Sequence, residues 1–159
     1  MAFREVARKN RTIDKAECLR LLKEEKRGVL AVLGDGDYPY TVPLNHYYDE
    51  ASGKLYFHSG KTGHKVDAMK RHPKASFCVY DSGFRKPGEW ALHIKSVVVF
   101  GTIEIVEDYE KAMSLCTALS HKFTADDVYI QEEIERSGKG TLVFALVPEH
   151  ITGKLIKES

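Results

Sequence analysis

The alternation of apolar and polar positions along the chain predicts a protein built mainly of β-strands. Apolar runs of strand length, rich in β-branched and aromatic residues, occur at residues 28–33, 38–48, 55–59, 74–80, 92–106 and 141–147. The early runs are separated by turns of a few residues, which join antiparallel neighbours. Gly101 interrupts the longest run and predicts a bend or bulge, and Pro148 ends the last run. The pattern therefore predicts an antiparallel sheet of about six or seven strands, closed as a barrel.

Three or four helical segments are predicted around these strands. Asp14 is the expected N-cap of the first, with Glu17 completing a capping box, and Gly28 is its expected end. A second helix begins near residue 64, and two amphipathic segments follow the long strand. The run at residues 28–33 is continuously apolar, which predicts a strand buried on both faces.

A strand, a glycine-rich turn and a helix start follow one another at residues 55–65. The turn reads Gly60-Lys61-Thr62-Gly63-His64-Lys65. No acidic residue occurs from residue 53 to residue 66, although the whole chain holds 23 acidic and 24 basic residues. The first N–H groups of a helix lack intrahelical partners and carry partial positive charge, so such a turn is suited to bind an anion. The alternatives for the turn are a phosphate site and a surface loop with solvated lysines.

Composition and charge limit the kind of protein. A length of 159 residues predicts a single domain, 1–159, in which residues 1–12 form a basic arm that is either mobile or laid over a neighbour. The net charge of +1 is too small for affinity based on neutralising a polyanion, so no nucleic acid is expected as a partner. No run approaches the ~20 apolar residues of a membrane span, and no secretory signal is found, so we expect a cytoplasmic protein without a membrane partner.

The cysteines and histidines do not form a metal-binding pattern. The three cysteines are widely spaced, and the seven histidines show neither H-x-x-H nor H-E-x-x-H spacing. We therefore predict no metal site and no disulfide framework, and we expect Cys18 to fill the core. The nucleophile elbow of a serine hydrolase is also missing.

Three blocks of the sequence carry a resemblance to a known family. They are GDGDYPYTVPLNHYYD, KLYFHSGKTGHKVDAMKRHPKASFCVYD and KSVVVFGTIEIVED. In this order they resemble the FMN-binding split-barrel superfamily, and within it the nitroimidazole-resistance (Nim-type) proteins and the pyridoxamine 5'-phosphate oxidase-like flavoproteins. The resemblance spans residues 12–147. It implies an antiparallel split β-barrel, FMN as the cofactor, and a homodimer with flavin sites at the interface.

The resemblance also implies the residues of a flavin site. The implied cofactor-binding residues are Thr41, Val42, Pro43, Leu44, Asn45, Phe57, His58, Ser59, Lys61, His64, Lys65 and Ser96. The first five would present their backbone to one edge of the isoalloxazine ring, and the next three would lie beneath the flavin. Lys61, His64 and Lys65 correspond to the phosphate-binding turn, and Ser96 would reach the flavin from the partner subunit. His58 matches the histidine that lies close to the flavin in Nim-type proteins, which makes it the candidate catalytic residue.

The sequence departs from the pyridoxamine phosphate oxidases in three places, one of which is Lys95-Ser96 where they have Arg-Gln. Gly63-His64-Lys65 stands where their turn reads Ser-Arg-Lys, and the C-terminal VPEHITGKLIKES lacks the tryptophan and arginine that hold their substrate's phosphate. The resemblance therefore implies an FMN-dependent oxidoreductase other than pyridoxamine phosphate oxidase, one that passes electrons from a reduced nicotinamide to a small acceptor such as a nitroaromatic. The alternatives are a non-catalytic flavin-binding or redox-sensing module, a haem-binding split barrel, and F420 in place of FMN.

Overall fold

The computed structural model describes residues 2–159, whose main element is a curled antiparallel sheet. The strands are β1 (Arg27–Leu33), β2 (Pro39–Asn45), β3 (Tyr47–Asp49), β4 (Lys54–Gly60), β5 (Lys74–Tyr80), β6 (Phe84–Arg85), β7 (Leu92–Val106) and β8 (Thr141–Glu158). Their order across the sheet is β2-β1-β5-β7-β8-β4-β3, and β6 pairs with β7. The sheet curls so far that β2 also contacts β4. The prediction of a mainly β, antiparallel split barrel is confirmed.

Four helices pack around the sheet. They are α1 (Lys15–Glu24), α2 (His64–Arg71), α3 (Tyr109–Ser120) and α4 (Asp127–Ser137). The N-caps of α1, α3 and α4 are Asp14, Asp108 and Asp126, whose carboxylates accept backbone N–H bonds of 2.8, 2.9 and 3.0 Å. Helix α2 differs, because it follows Gly63 and has no side-chain cap. Among residues 2–159, no helix has the length and apolar character needed to cross a membrane.

Strand β8 is longer than the sequence predicts. Its expected end at Pro148 is wrong, because the strand continues through the C-terminal segment and pairs with β7 throughout. Gly101 pairs with Pro148 whereas Phe100 pairs with His150, which leaves Glu149 as an extra residue at a bulge. Proline is tolerated at a bulge because the ladder needs no donor there. The bulge predicted at Gly101 is confirmed, and a Cβ on this glycine would lie 2.2 Å from a backbone oxygen of β8.

The boundary between α1 and β1 also differs from the prediction. Helix α1 stops at Glu24, and Gly28 lies inside β1 instead of ending the helix. A Cβ at Gly28 would lie 2.5 Å from the carbonyl oxygen of Cys78, so this glycine allows β1 to pack closely on β5. The predicted capping box is half present, since Asp14 caps the helix but the Glu17 carboxylate pairs with other side chains.

Strand β1 is buried on one face only, whereas its apolar run predicts burial on both. Leu30 and Val32 are buried, but Val29 on the other face is partly exposed. The same arrangement continues across the sheet, because Val29 stands opposite Cys78 in β5 and Cys78 stands opposite Val98 in β7. We call this surface the open sheet face. It is formed by Val29, Ala31, Thr41, Pro43, Ser76, Cys78, Val98 and Phe100.

The barrel interior is filled by apolar side chains and one histidine. Phe57 stacks on Phe144 with ring centroids 5.1 Å apart and meets Phe77 edge-on at 4.9 Å. His46 is fully buried, with Nε2 2.8 Å from the Leu22 carbonyl oxygen, and no partner for its Nδ1 is found within residues 2–159. Burial lowers the pKa of His46 to about 4. The imidazole is therefore neutral at physiological pH and donates from Nε2.

Acid is expected to destabilise the fold through His46. A histidine in the unfolded chain has a pKa of about 6.5, whereas the native ring takes up its proton only near pH 4. The unfolded chain therefore binds the proton first, and stability is lost as the pH falls from about 6.5 towards 4. We expect the free energy of unfolding to be roughly 2 kcal/mol lower at pH 5 than at pH 7, as measured by urea unfolding. The His46→Gln variant retains a donor and should lose most of this difference; an unchanged pH dependence would contradict the role of His46.

The N-terminal arm lies against its own sheet in the part of the chain that the structure describes. Phe3 stacks on His150 of β8 with ring centroids 4.9 Å apart, and Glu5 approaches the same imidazole at 3.9 Å. Thr12 forms a β-bridge with Lys154. The arm thus extends the surface formed by β7 and β8.

Candidate functional site

The glycine-rich turn connects the end of β4 to the start of α2. Gly63 adopts φ of 130°, which favours glycine, and a Cβ there would meet nothing within 4 Å, so the space beside the turn is open. Because α2 has no side-chain cap, the N–H groups of its first turn lack that partner. The salt bridge beside the turn joins Arg71 to Asp35, and within residues 2–159 no carboxylate pairs with Lys61 or Lys65. The turn therefore combines free donors and free positive charge.

His64 is held by the turn between β1 and β2. The backbone N–H of Asp35 donates to its Nε2 at 3.1 Å, and its ring packs on Tyr40 with centroids 4.1 Å apart. Arg71, at the other end of α2, donates to the Asp35 carboxylate at 3.1 Å. A Cβ on Gly34 would lie 2.9 Å from His64 Nε2, so the ring fills this space closely. These contacts fix the start of α2 against β2.

Strand β2 supplies the residues predicted to line the flavin ring. It is an edge strand of the described sheet and pairs with β1 alone, so one side of its backbone has no ladder partner. Val42 and Leu44 pack against the core. Thr41, Pro43 and Asn45 alternate onto the opposite face, and the Asn45 amide donates to a backbone oxygen at 3.1 Å. The position of Pro43 agrees with the rule that confines proline to edge strands.

His58 lies on the opposite face of β4 from Phe57. Phe57 belongs to the barrel core, whereas His58 faces α3 and α4, where it lines a cavity of about 220 Å³. The cavity is otherwise lined by Met113, Cys116, Ser120, Ile130, Glu133, Ile134, Ser137, Gly138 and Thr141. Part of the His58 ring is exposed, yet the protein packed around it desolvates it and lowers the pKa of the imidazole. The ring is therefore neutral at pH 7.

The two neighbours of His58 have different surroundings. The Phe57 side chain is 1% exposed, so a ligand would meet this residue through its backbone only. Ser59 is partly buried, and its hydroxyl donates to the Gly60 carbonyl oxygen at 2.8 Å. The Ser59 hydroxyl can still accept a hydrogen bond from a ligand, whereas the Phe57 side chain is not accessible.

Ser96 lies on β7, away from the turn. It pairs with Tyr80 of β5, and both β5 and β1 separate β7 from β2. Strands are about 4.8 Å apart, which puts Ser96 roughly 14 Å from β2 in the same chain. The adjacent Lys95 donates to Glu17 at 2.8 Å. Hydrogen bonds from Arg20 and then Lys95 lower the pKa of Glu17 to about 2, so Lys95 is engaged within its own chain.

The structure brings the turn and β2 together and leaves Ser96 apart. The contacts that join the two could not be predicted, because Asp35 and Tyr40 lie far from α2 along the chain and form no motif with it. The cavity at His58 was likewise missed, since α3 and α4 follow β4 by many residues. Only the alternation of Phe57 and His58 along β4 indicated that the two side chains would point to opposite faces of the sheet.

Comparison with protein families agrees with this fold. The model of the pyridoxamine 5'-phosphate oxidase family matches residues 14–155. The chain therefore belongs to this family. Among curated protein sequences, none matches it significantly.

Several solved structures share the fold. A candidate 5-nitroimidazole antibiotic resistance protein from Bacteroides thetaiotaomicron aligns with a TM-score of 0.80 and 19% identity, over 92% of this chain and 87% of its own. An FAD-binding protein from Mesorhizobium loti aligns with a TM-score of 0.66 and 26% identity, over 92% and 97%. An FAD- and haem-binding protein from Mycobacterium smegmatis aligns with a TM-score of 0.69 and 21% identity, over 89% of this chain and 71% of its own. The resemblance to the split-barrel superfamily is confirmed.

Proposed function

We propose that this chain binds FMN at the turn of residues 60–65 and along β2, and that it acts as an oxidoreductase. The observation that carries the proposal is the uncapped start of α2 with Lys61 and Lys65 beside it, fixed against an edge strand. The relatives from M. loti and M. smegmatis are FAD-binding proteins, which supports a flavin as the ligand. When bound, FMN would supply electron transfer from a reduced nicotinamide to a small acceptor such as a nitroaromatic.

The turn fits the phosphate of the cofactor. A phosphate at a helix N-terminus accepts from free N–H groups and is stabilised by the helix dipole. Lys61 and Lys65 would add charge-assisted hydrogen bonds, with His64 next to them. Gly60 and Gly63 leave room for the group, because a Cβ at Gly60 would meet only a backbone oxygen at 4.0 Å and one at Gly63 would meet nothing.

Strand β2 would hold the ring, and His58 would serve the acceptor. The free backbone edge from Thr41 to Asn45 would hydrogen-bond the polar edge of the isoalloxazine. His58 would then offer a hydrogen bond to the acceptor. Because its pKa is lowered, the imidazole would donate from a neutral ring rather than deliver a proton as a cation.

A homodimer would cover the open sheet face and complete each site. Val29 and Val98 on this face are apolar and partly exposed, and nearby Tyr80 and Trp90 keep 61% and 74% of their surface exposed. Exposed apolar side chains grouped on one face are typical of a protein interface. Ser96 shares the face with Val98 and would reach the flavin of the partner chain.

FMN is expected to strengthen this dimer, because each bound flavin would contact both chains. Sedimentation of the protein with and without FMN measures the effect. Val29→Glu, which puts a charge on the open sheet face, should weaken the dimer by about tenfold or more. Val128→Glu is the matched control, since Val128 is exposed on α4. A monomer in the presence of saturating FMN would contradict the shared site.

The enzymatic part of the proposal is tested separately from binding. The FMN-loaded protein should oxidise a reduced nicotinamide faster when a nitroaromatic acceptor is present. A protein that binds FMN but shows no turnover with either nicotinamide would be a flavin-binding or redox-sensing module instead.

A further inference from the structure

We propose that His64 positions the phosphate turn as a neutral hydrogen-bond acceptor and contributes no positive charge to the bound phosphate. The inference rests on the proposed function, because it concerns the same flavin site. It differs from the role that the family resemblance implies, in which the side chain at this position binds the phosphate itself.

The position of the proton on the His64 ring follows from the hydrogen bond that the ring accepts. The donor at 3.1 Å is the backbone N–H of Asp35, a group that cannot act as an acceptor. An imidazole nitrogen that accepts a hydrogen bond holds no proton, so Nε2 is unprotonated and the single ring proton lies on Nδ1. This tautomer is neutral.

The charged groups around the ring have opposite signs, and the carboxylate among them is shared with Arg71. Oδ2 of Asp35 lies 3.8 Å from Nε2, beyond hydrogen-bond distance, while Oδ1 of the same carboxylate accepts from Arg71 at 3.1 Å. Arg71 and the neighbouring Lys65 both bring positive charge to this end of the cluster. Tyr40, on the other side, offers the face of a neutral ring. A protonated His64 would lose the Asp35 N–H bond, and the carboxylate 3.8 Å away is already paired with Arg71.

The hydrogen bond that His64 accepts distinguishes the imidazole from the arginine of the oxidases. The ring packs on Tyr40, at 4.1 Å between centroids, and lies beside Gly34, where a Cβ would come within 2.9 Å of Nε2, while 36% of the His64 side chain stays exposed. An arginine has no acceptor atom, so it could not take the hydrogen bond that the Asp35 N–H donates to the imidazole. The positive charge that binds the flavin phosphate would then come from Lys61 and Lys65. His64 would keep the N–H groups at the start of α2 in position.

Two substitutions separate positioning from charge. His64→Gln keeps an acceptor for the Asp35 N–H but is never charged, whereas His64→Ala removes the acceptor. With FMN binding measured by calorimetry at pH 6.5 and pH 8, we expect His64→Gln to stay within about 3-fold of wild type at both values, and His64→Ala to bind about 5- to 10-fold more weakly. His72→Ala, at the other end of α2, is the control and should bind like wild type.

Two results would overturn the proposal. One is an equal loss of affinity in both His64 variants. The other is a wild-type affinity, relative to His64→Gln, that rises about tenfold from pH 8 to pH 6.5, as a cationic phosphate ligand requires. Nitrogen NMR of the imidazole gives a readout without flavin, with unprotonated Nε2 expected at pH 7 and a protonated Nε2 contradicting the proposal. A protein that binds no flavin would refute the proposed function, while the NMR result would still decide the state of His64.

Discussion

Replacement of His58 by alanine is expected to leave flavin binding unchanged and to lower acceptor reduction by about 10²- to 10³-fold, the usual contribution of one positioned hydrogen-bond donor to developing negative charge. His58 lines the cavity between β4, α3 and α4, and its neutral ring offers one N–H. Reduction of the flavin by the reduced nicotinamide should change far less, because that step does not use the hydrogen bond from His58 to the electron acceptor. Stopped-flow measurement of the two half-reactions separates these effects.

The control for His58→Ala is His72→Ala. His72 is exposed and lies at the C-terminal end of α2, so its loss should affect neither half-reaction. If His58→Ala binds FMN and reduces nitroaromatics at the wild-type rate, His58 has no catalytic role and the cavity only packs the helices against the sheet.

Replacement of Lys65 by alanine should weaken FMN binding by roughly 10- to 100-fold while the fold is retained. The reason is that a charge-assisted hydrogen bond to the phosphate contributes about 1.5 to 3 kcal/mol. Lys65 is only partly buried and has no carboxylate partner within residues 2–159, so its removal leaves no buried charge unpaired. Calorimetric titration with FMN measures the change.

Riboflavin and Lys70→Ala are the controls for this prediction. Riboflavin lacks the phosphate, so its affinity should be nearly the same for wild type and Lys65→Ala. Lys70 is exposed near the other end of α2, and Lys70→Ala should bind FMN like wild type. An equal loss of affinity for both flavins in Lys65→Ala would mean that the turn has a structural role and is not an anion site.

Much of the fold could be predicted because it depends on local sequence. The alternation in residues 74–80 predicted strand β5 with its observed bounds, and Asp14 predicted the start of α1 through N-capping. Gly101 marked the position in β7 that lies opposite the bulge in β8, because a glycine that interrupts an apolar run is typical of such a site.

The remaining features depend on contacts between distant residues. Nothing near Pro148 shows that β7 is long enough to pair beyond it, so β8 was expected to end there. A continuous apolar run looks the same whether its second face meets a helix or remains open for another chain, which is why β1 was expected to be buried on both faces. The basic turn was found from its own residues, whereas its attachment to β2 through Asp35 and Tyr40 depends on the tertiary fold.

The central claim is that the chain binds a flavin through its phosphate at the turn of residues 60–65. It is tested most directly by titrating the purified protein with FMN while the visible spectrum and the heat of binding are recorded. We predict a bound-flavin spectrum with one FMN per chain, and markedly weaker binding of riboflavin. A spectrum and a heat signal that do not respond to FMN, or a Soret band that develops with haem in its place, would contradict the account.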